Sequence, residues 1–160
     1  MLKFIPPHGN PIMASTFLSL HYHIVFSTKE RVPSIVPQWR ARLHQYLGGQ
    51  VKGLGGVAQA VGGVADHVHL LVGLKATHCL ADFMREMKKQ ASVWVHTEIG
   101  AQGFAWQEGY AAFTVSPNSR TGVQGYIENQ ESHHRQRSFR EELIELLQRA
   151  GVEYDERYLD

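Results

Sequence analysis

Between positions 17 and 28, apolar and polar residues alternate. Leu18, Leu20, Tyr22, Ile24 and Phe26 share one face, and His21, His23 and Val25 share the other. A period of two is that of a strand. From 38 to 51 the period lengthens: Trp39, Leu43, Tyr46 and Leu47 recur at helical spacing, with Gly48-Gly49 expected to weaken or end the helix. Segment 57–65, rich in Val and Ala, reads as a second strand whose Gly62-Gly63 pair predicts a bulge or a close backbone approach. Segment 67–74 is a third strand, tightly joined to the second around Ala65-Asp66.

Leu80, Phe83, Met84, Met87, Ala91, Trp94 and Val95 then form a helical apolar stripe, with Arg85, Lys88 and Lys89 facing elsewhere. Short strand or loop pieces at 104–106 and 112–115 flank Gly109. Pro117-Asn118-Ser119 predicts a helix start with Ser119 as N-cap, the helix running to about His134. Ser138-Phe139-Arg140-Glu141 is a capping-box pattern opening a last helix, which Gly151 would end. The order β-α-β-β-α-β-α-α predicts an α+β fold, an antiparallel sheet with helices packed on one face.

Composition refines this only slightly. At 160 residues the chain has room for one core, so 17–160 reads as a single domain, with 1–16 a flexible N-terminal extension. The lone Cys79 excludes a disulfide framework and a cysteine-rich zinc site. No apolar run approaches the roughly 20 residues needed to span a bilayer, and the early prolines interrupt any signal-peptide core, so no membrane partner is expected and a cytoplasmic location is the default. The formal charge of +1 is uneven. Residues 139–160 hold three basic and seven acidic groups, a net −4, which leaves +5 on residues 1–138. That suffices for a local phosphate-binding surface but not for a polybasic coat.

The chemistry concentrates in two places. In Asp66-His67-Val68-His69-Leu70-Leu71-Val72, strand alternation sends His67 and His69 to one side, about 7 Å apart along the backbone, and Val68, Leu70 and Val72 to the other. Two imidazoles on one rigid strand can hold a metal ion. A bare His-x-His also occurs on solvated sheet faces, and His21 and His23 form a second such pair. Tyr126 and Gln130 stand four residues apart, neighbours on one helix face. A tyrosine hydroxyl is a nucleophile for phosphodiesters, and a carboxamide oxygen can ligate a hard cation. A half-buried tyrosine beside a surface glutamine would present the same spacing.

Taken with His21-Tyr22-His23-Ile24-Val25-Phe26-Ser27-Thr28-Lys29, Phe104-Ala105-Trp106-Gln107-Glu108-Gly109-Tyr110 and His133-His134, these segments resemble the small single-tyrosine HUH transposases of bacterial and archaeal insertion sequences, over roughly 17–160. The resemblance implies a ferredoxin-like sheet with the nucleophile-bearing helix near the C-terminus. It implies a divalent metal on His67, His69 and Gln130, with Tyr126 attacking the scissile phosphate. It also implies a homodimer acting on hairpin-forming single-stranded DNA, with the tyrosine helix exchanged between subunits. Two imidazoles and an amide oxygen suit Mg²⁺ or Mn²⁺, with Mn²⁺ or Zn²⁺ better matched to the nitrogens. Tyrosine, with a free pKa near 10, attacks slowly unaided, and a metal on the phosphate would neutralise charge and orient in-line attack. No nucleotide-binding phosphate loop is present, as expected of a reaction that exchanges one phosphodiester for another.

Candidate DNA contacts are Lys29, Arg31, Arg85, Lys88, Lys89 and Arg120, with Arg135 and Arg137 behind them. His133, seven residues after Tyr126, is expected near the site or in a mobile helix end, and Phe104 and Trp106 in the core. Other readings of the same residues are a domesticated nickase of chromosomal hairpins, a non-catalytic hairpin-binding regulator, and a metal-dependent phosphoesterase using water.

Overall fold

A computed structural model describes residues 16–159. The expected N-terminal extension, up to residue 15, lies outside the described residues. Four strands, β1 (His21–Ser27), β2 (Val57–Gly63), β3 (His67–Gly73) and β4 (Ala111–Thr114), form one sheet in the order β2-β3-β1-β4. Every pairing is antiparallel. The helices are α1 (Pro37–Gly53), α2 (Leu80–Trp94), α3 (Arg120–Glu128), α4 (Gln130–His133) and α5 (Phe139–Ala150).

Alternation along β1 and β3 sorts the two faces of the sheet. Ile24, Phe26, Val68, Leu70 and Val72 point to one face, where α1 contributes Trp39, Leu43, Leu47 and Val51 and α2 contributes Phe83, Met84, Met87 and Ala91. Burying each such side chain stabilises by about 1.5–3 kcal/mol, so this stripe outweighs the low helix propensity of Gly48-Gly49, and α1 runs through them. Phe104 and Trp106 belong to this core as expected, in an edge-to-face series joining Phe26, Trp106, Phe104 and Trp39.

The opposite face carries a smaller apolar cluster, Ala60, Leu71, Val115 and Ile127, with Val123 and Tyr126 against it. Here α3 lies on the sheet, so the long core helices share one face while the tyrosine helix takes the other. Gly62 makes this possible: a Cβ there would stand 2.2 Å from the Ile127 carbonyl oxygen. The close approach expected of Gly62-Gly63 is real, and the β2 irregularity falls instead between Ala58 and Ala60.

Three local expectations change. The first strand is shorter than its alternation, and Phe17 is exposed ahead of it. Ser119 makes no side-chain cap; it ends a 3₁₀ turn, Pro117–Ser119, and shares a hydroxyl hydrogen bond with Ser116. The helix expected to continue to His134 stops at Glu128 and restarts at Gln130, because Asn129 leaves helical geometry. The last helix opens on the expected capping box, Ser138 with Glu141, and closes on Gly151 in the left-handed region.

Candidate active site

His67 and His69 leave β3 on the α3 side and are fully buried. Their rings are 5.0 Å apart. Phe139 of α5 stacks on His67 at 4.3 Å, and Tyr126 of α3 meets His69 edge-on at 5.8 Å. Gln130 of α4 is buried with its Oε1 3.2 Å from His67 Nε2. The four residues singled out in the sequence therefore converge, with Tyr126 standing against the histidines. The cluster has further members. His134 and Glu142 join His67 and His69 with ligating atoms all within 4.8 Å of one another.

The hydrogen-bond chemistry suits a cation at this centre. His67 Nδ1 is 2.6 Å from Asp66 Oδ1. A carboxylate oxygen only accepts, so Nδ1–H donates and the neutral ring turns a bare Nε2 lone pair toward Gln130 Oε1, itself an acceptor. His69 Nδ1 lies 2.8 Å from His23 Nε2, and its Nε2 faces Glu142 Oε1 at 2.6 Å. Among the described residues, His69 Nε2 and both Glu142 oxygens are buried without a hydrogen bond of ordinary geometry. Convergent lone pairs at this depth are costly unless positive charge lies among them. The residues present fit a divalent ion.

The electrostatics agree. Burial pushes His23 down to about 3, aided by its neighbour His69, and pushes His69 down against the pull of Glu142. Burial would raise Glu142, but the close approach of the His134 and His69 rings outweighs it and holds the carboxyl well below the usual range. Neutral imidazoles and an ionised carboxylate are the forms that ligate metals. Burial, and then the Glu142 carboxylate, push the Tyr126 hydroxyl above its ordinary value. Its oxygen lies 3.4 Å from His133 Nε2, so His133 approaches the site.

Two cavities border the cluster. One, of about 890 Å³, is lined by Arg31, Arg40, Arg135 and Arg137 with Asp66 and His134. The other, of about 580 Å³, opens on Tyr126, His133, Glu142 and again Arg137. Of the expected DNA contacts, Arg31 lines the first cavity, and Arg120 lies 3.2 Å from His21 Nε2 at the far end of β1. Lys29 is exposed on the 3₁₀ turn Lys29–Arg31, next to Arg31. Arg85, Lys88 and Lys89 sit on α2, across the sheet from the histidines. There Arg85 pairs with Asp82, Lys89 with Glu86, and Lys88 donates to the Gln107 and Gly109 carbonyls.

The sequence reading missed Glu142, His134, Arg40 and the support of His23. A signal existed for Glu142: it falls on the inward stripe of α5 with Phe139 and Leu147, where an unpaired carboxylate has no business. His134 is four residues past Gln130, the same spacing that links Gln130 to Tyr126. Arg40 had no sequence signal; from α1 it lines the cavity beside the site, where it pairs with Glu131 at 2.9 Å.

The site thus joins a buried histidine pair on an antiparallel sheet to a tyrosine helix laid across it. The sequence profile of the family described as "Transposase IS200 like" matches residues 16–130. The chain belongs to the IS200-like transposase family. It is 26% identical over 124 residues to the transposase of insertion sequence IS200 from Salmonella typhimurium, covering 74% of this chain and 81% of that protein. It is 26% identical over 117 residues to the ISDra2 transposase TnpA of Deinococcus radiodurans, covering 69% and 84%. Among solved structures, a candidate transposase from Deinococcus radiodurans superposes with a TM-score of 0.58 at 26% identity, covering 74% of this chain and 96% of that one. A REP-associated tyrosine transposase bound to a REP hairpin shares the fold, with a TM-score of 0.56 at 14% identity, covering 76% and 74%. Transposition, with the DNA binding and strand transfer that it entails, is the activity of the family. Among the described residues no helix is long and apolar enough to cross a membrane.

Proposed function

We propose that this chain cleaves and rejoins hairpin-forming single-stranded DNA through a covalent link to Tyr126, assisted by a divalent metal on His67, His69 and Gln130. The observation that carries the reading is the convergence of Tyr126 and Gln130 on the buried histidine pair within one chain. A bound divalent ion would neutralise the scissile phosphate and favour in-line attack. The Tyr126 oxygen forms the new bond to phosphorus as one backbone P–O bond breaks, and the departing oxygen leaves as a free hydroxyl. The phenol proton needs an acceptor, and His133 Nε2 is within reach at 3.4 Å. Rejoining reverses the exchange without fuel. The arginine-lined cavity beside Asp66 and His134, with Arg31 in its lining, supports a phosphate track into the site; Lys29 lies two residues from Arg31 outside that cavity, and Arg120 belongs to a more distant contact. The three α2 cations lie across the sheet and would serve only DNA wrapped around the domain. A homodimer is part of the same reading, carried by the family resemblance, and a solution mass measures it.

The test is incubation of the protein with end-labelled single-stranded hairpin DNA and Mn²⁺, followed by denaturing electrophoresis. A labelled protein–DNA band is expected, lost on chelation and in Tyr126→Phe. Nicking with no covalent band would replace tyrosine by water as the nucleophile.

A further inference from the structure

The segment beyond residue 130, where the family match ends, supplies two side chains that the reading above leaves unused. His134 follows α4, and Glu142 lies in the first turn of α5, yet both reach the histidine pair. With bonds of about 2.1 Å, a coordination sphere is roughly 4.2 Å across. Atoms within 4.8 Å of one another are therefore a small adjustment from a shared centre.

His134 is wired as His67 is. Its Nδ1 lies 2.8 Å from the Arg137 carbonyl oxygen, which can only accept. In the neutral form that a metal ligand must take, the ring turns a bare Nε2 lone pair inward, onto Gln130 Oε1 at 3.0 Å and the Glu142 carboxylate. The bare Nε2 atoms of His67 and His134 thus meet the Gln130 amide oxygen, the Glu142 carboxylate and His69 Nε2 in one buried cluster. Protonating every ring would crowd three like charges around one carboxylate. A single dication satisfies all five groups.

We infer that His134 and Glu142 are metal ligands, completing with His67, His69 and Gln130 a five-residue centre that takes a first-row transition ion in preference to Mg²⁺. The inference rests on the metal-assisted reading above, but its measurements need no DNA. Mg²⁺ favours oxygen ligands and keeps its waters, whereas imidazole nitrogens favour the later ions. The carboxylate tethers this centre to α5, so the C-terminal segment becomes part of the metal site.

X-ray absorption on the Co²⁺-loaded full chain counts the imidazoles directly: three are expected, and two would overturn the inference without any variant. Calorimetric titration with Co²⁺ provides the second measurement. Glu142→Gln and His134→Gln are each expected to weaken binding by about tenfold to a hundredfold, and millimolar Mg²⁺ should not displace the ion. Unchanged affinity in both variants, with binding abolished by His67→Ala/His69→Ala, would remove the two ligands and leave the histidine-pair reading standing. Displacement of Co²⁺ by Mg²⁺ at comparable concentration would overturn the preference. Failure of the wild-type chain to bind Co²⁺ at all would overturn this inference together with the metal in the proposed function.

Discussion

His67 and His69 were legible in the sequence because a strand has a period of two, and nothing else about the fold was needed to aim both rings one way. What alternation could not convey is how deeply they are buried. Both are fully enclosed, each with its Nδ1 engaged and its Nε2 turned to the cluster. That depth sharpens the expected effect of removing them. His67→Ala or His69→Ala should lower cleavage by more than about a hundredfold and weaken Mn²⁺ binding in parallel, with Gln130→Ala milder at about tenfold. Single-turnover cleavage beside calorimetric titration measures both quantities. Cleavage at the wild-type rate in the double histidine variant would contradict the assignment. Glu142 was overlooked because a glutamate among leucines reads locally as one more surface charge; its place on the stripe of Phe139 and Leu147 was the signal, and its contact with His69 shows where that stripe faces.

The elements that carry the site were legible to different degrees. Strong periodicity gave α1, α2 and the sheet, and the capping box gave the start of α5. The tyrosine helix was misjudged in length, because nothing in Tyr126-Ile127-Glu128-Asn129-Gln130 marks Asn129 as a break. The break matters, since it lets Gln130 and His134 turn onto the histidines while α3 stays flat on the sheet. The seat of α3 is Gly62. A methyl group there would collide with the Ile127 carbonyl oxygen, a backbone atom that cannot rotate aside. Gly62→Ala is therefore expected to cost about 1–3 kcal/mol of stability and to reduce covalent attachment, although no reacting group is altered. Thermal melting and the adduct assay together check this. An unchanged melting temperature with full adduct formation would show that α3 is not held at that contact.

Over the whole chain, the resemblance implies a tyrosine helix exchanged between subunits; within a single chain, α3 packs on the sheet with Tyr126 edge-on to His69. Sequence could not decide this: Gly109 and the Pro117-Asn118 segment supply hinge-like chain for either arrangement. The burial of Ile127 and the fit at Gly62 define the seat that either subunit's α3 would fill. Mixing a His67→Ala/His69→Ala protein with a Tyr126→Phe protein, under conditions that exchange subunits, is expected to restore cleavage through sites shared across the dimer, and no cleavage would mean that each site is self-contained. Recovered activity would mean that the working assembly trades α3 between chains. The uneven charge noted in the sequence also gains a location. The acidic tail includes α5, whose Glu142 is spent inside the site, while Arg31, Arg40, Arg135 and Arg137 line the cavity beside it.

The central claim is that Tyr126 becomes covalently joined to DNA. Its most direct measurement is to digest the adduct formed with a single-stranded hairpin and Mn²⁺, then locate the nucleotide-bearing peptide by mass spectrometry. The modification is predicted on Tyr126, within the peptide that continues into Ile127-Glu128-Asn129-Gln130. A nucleotide found on another tyrosine, such as the exposed Tyr110, would contradict the account.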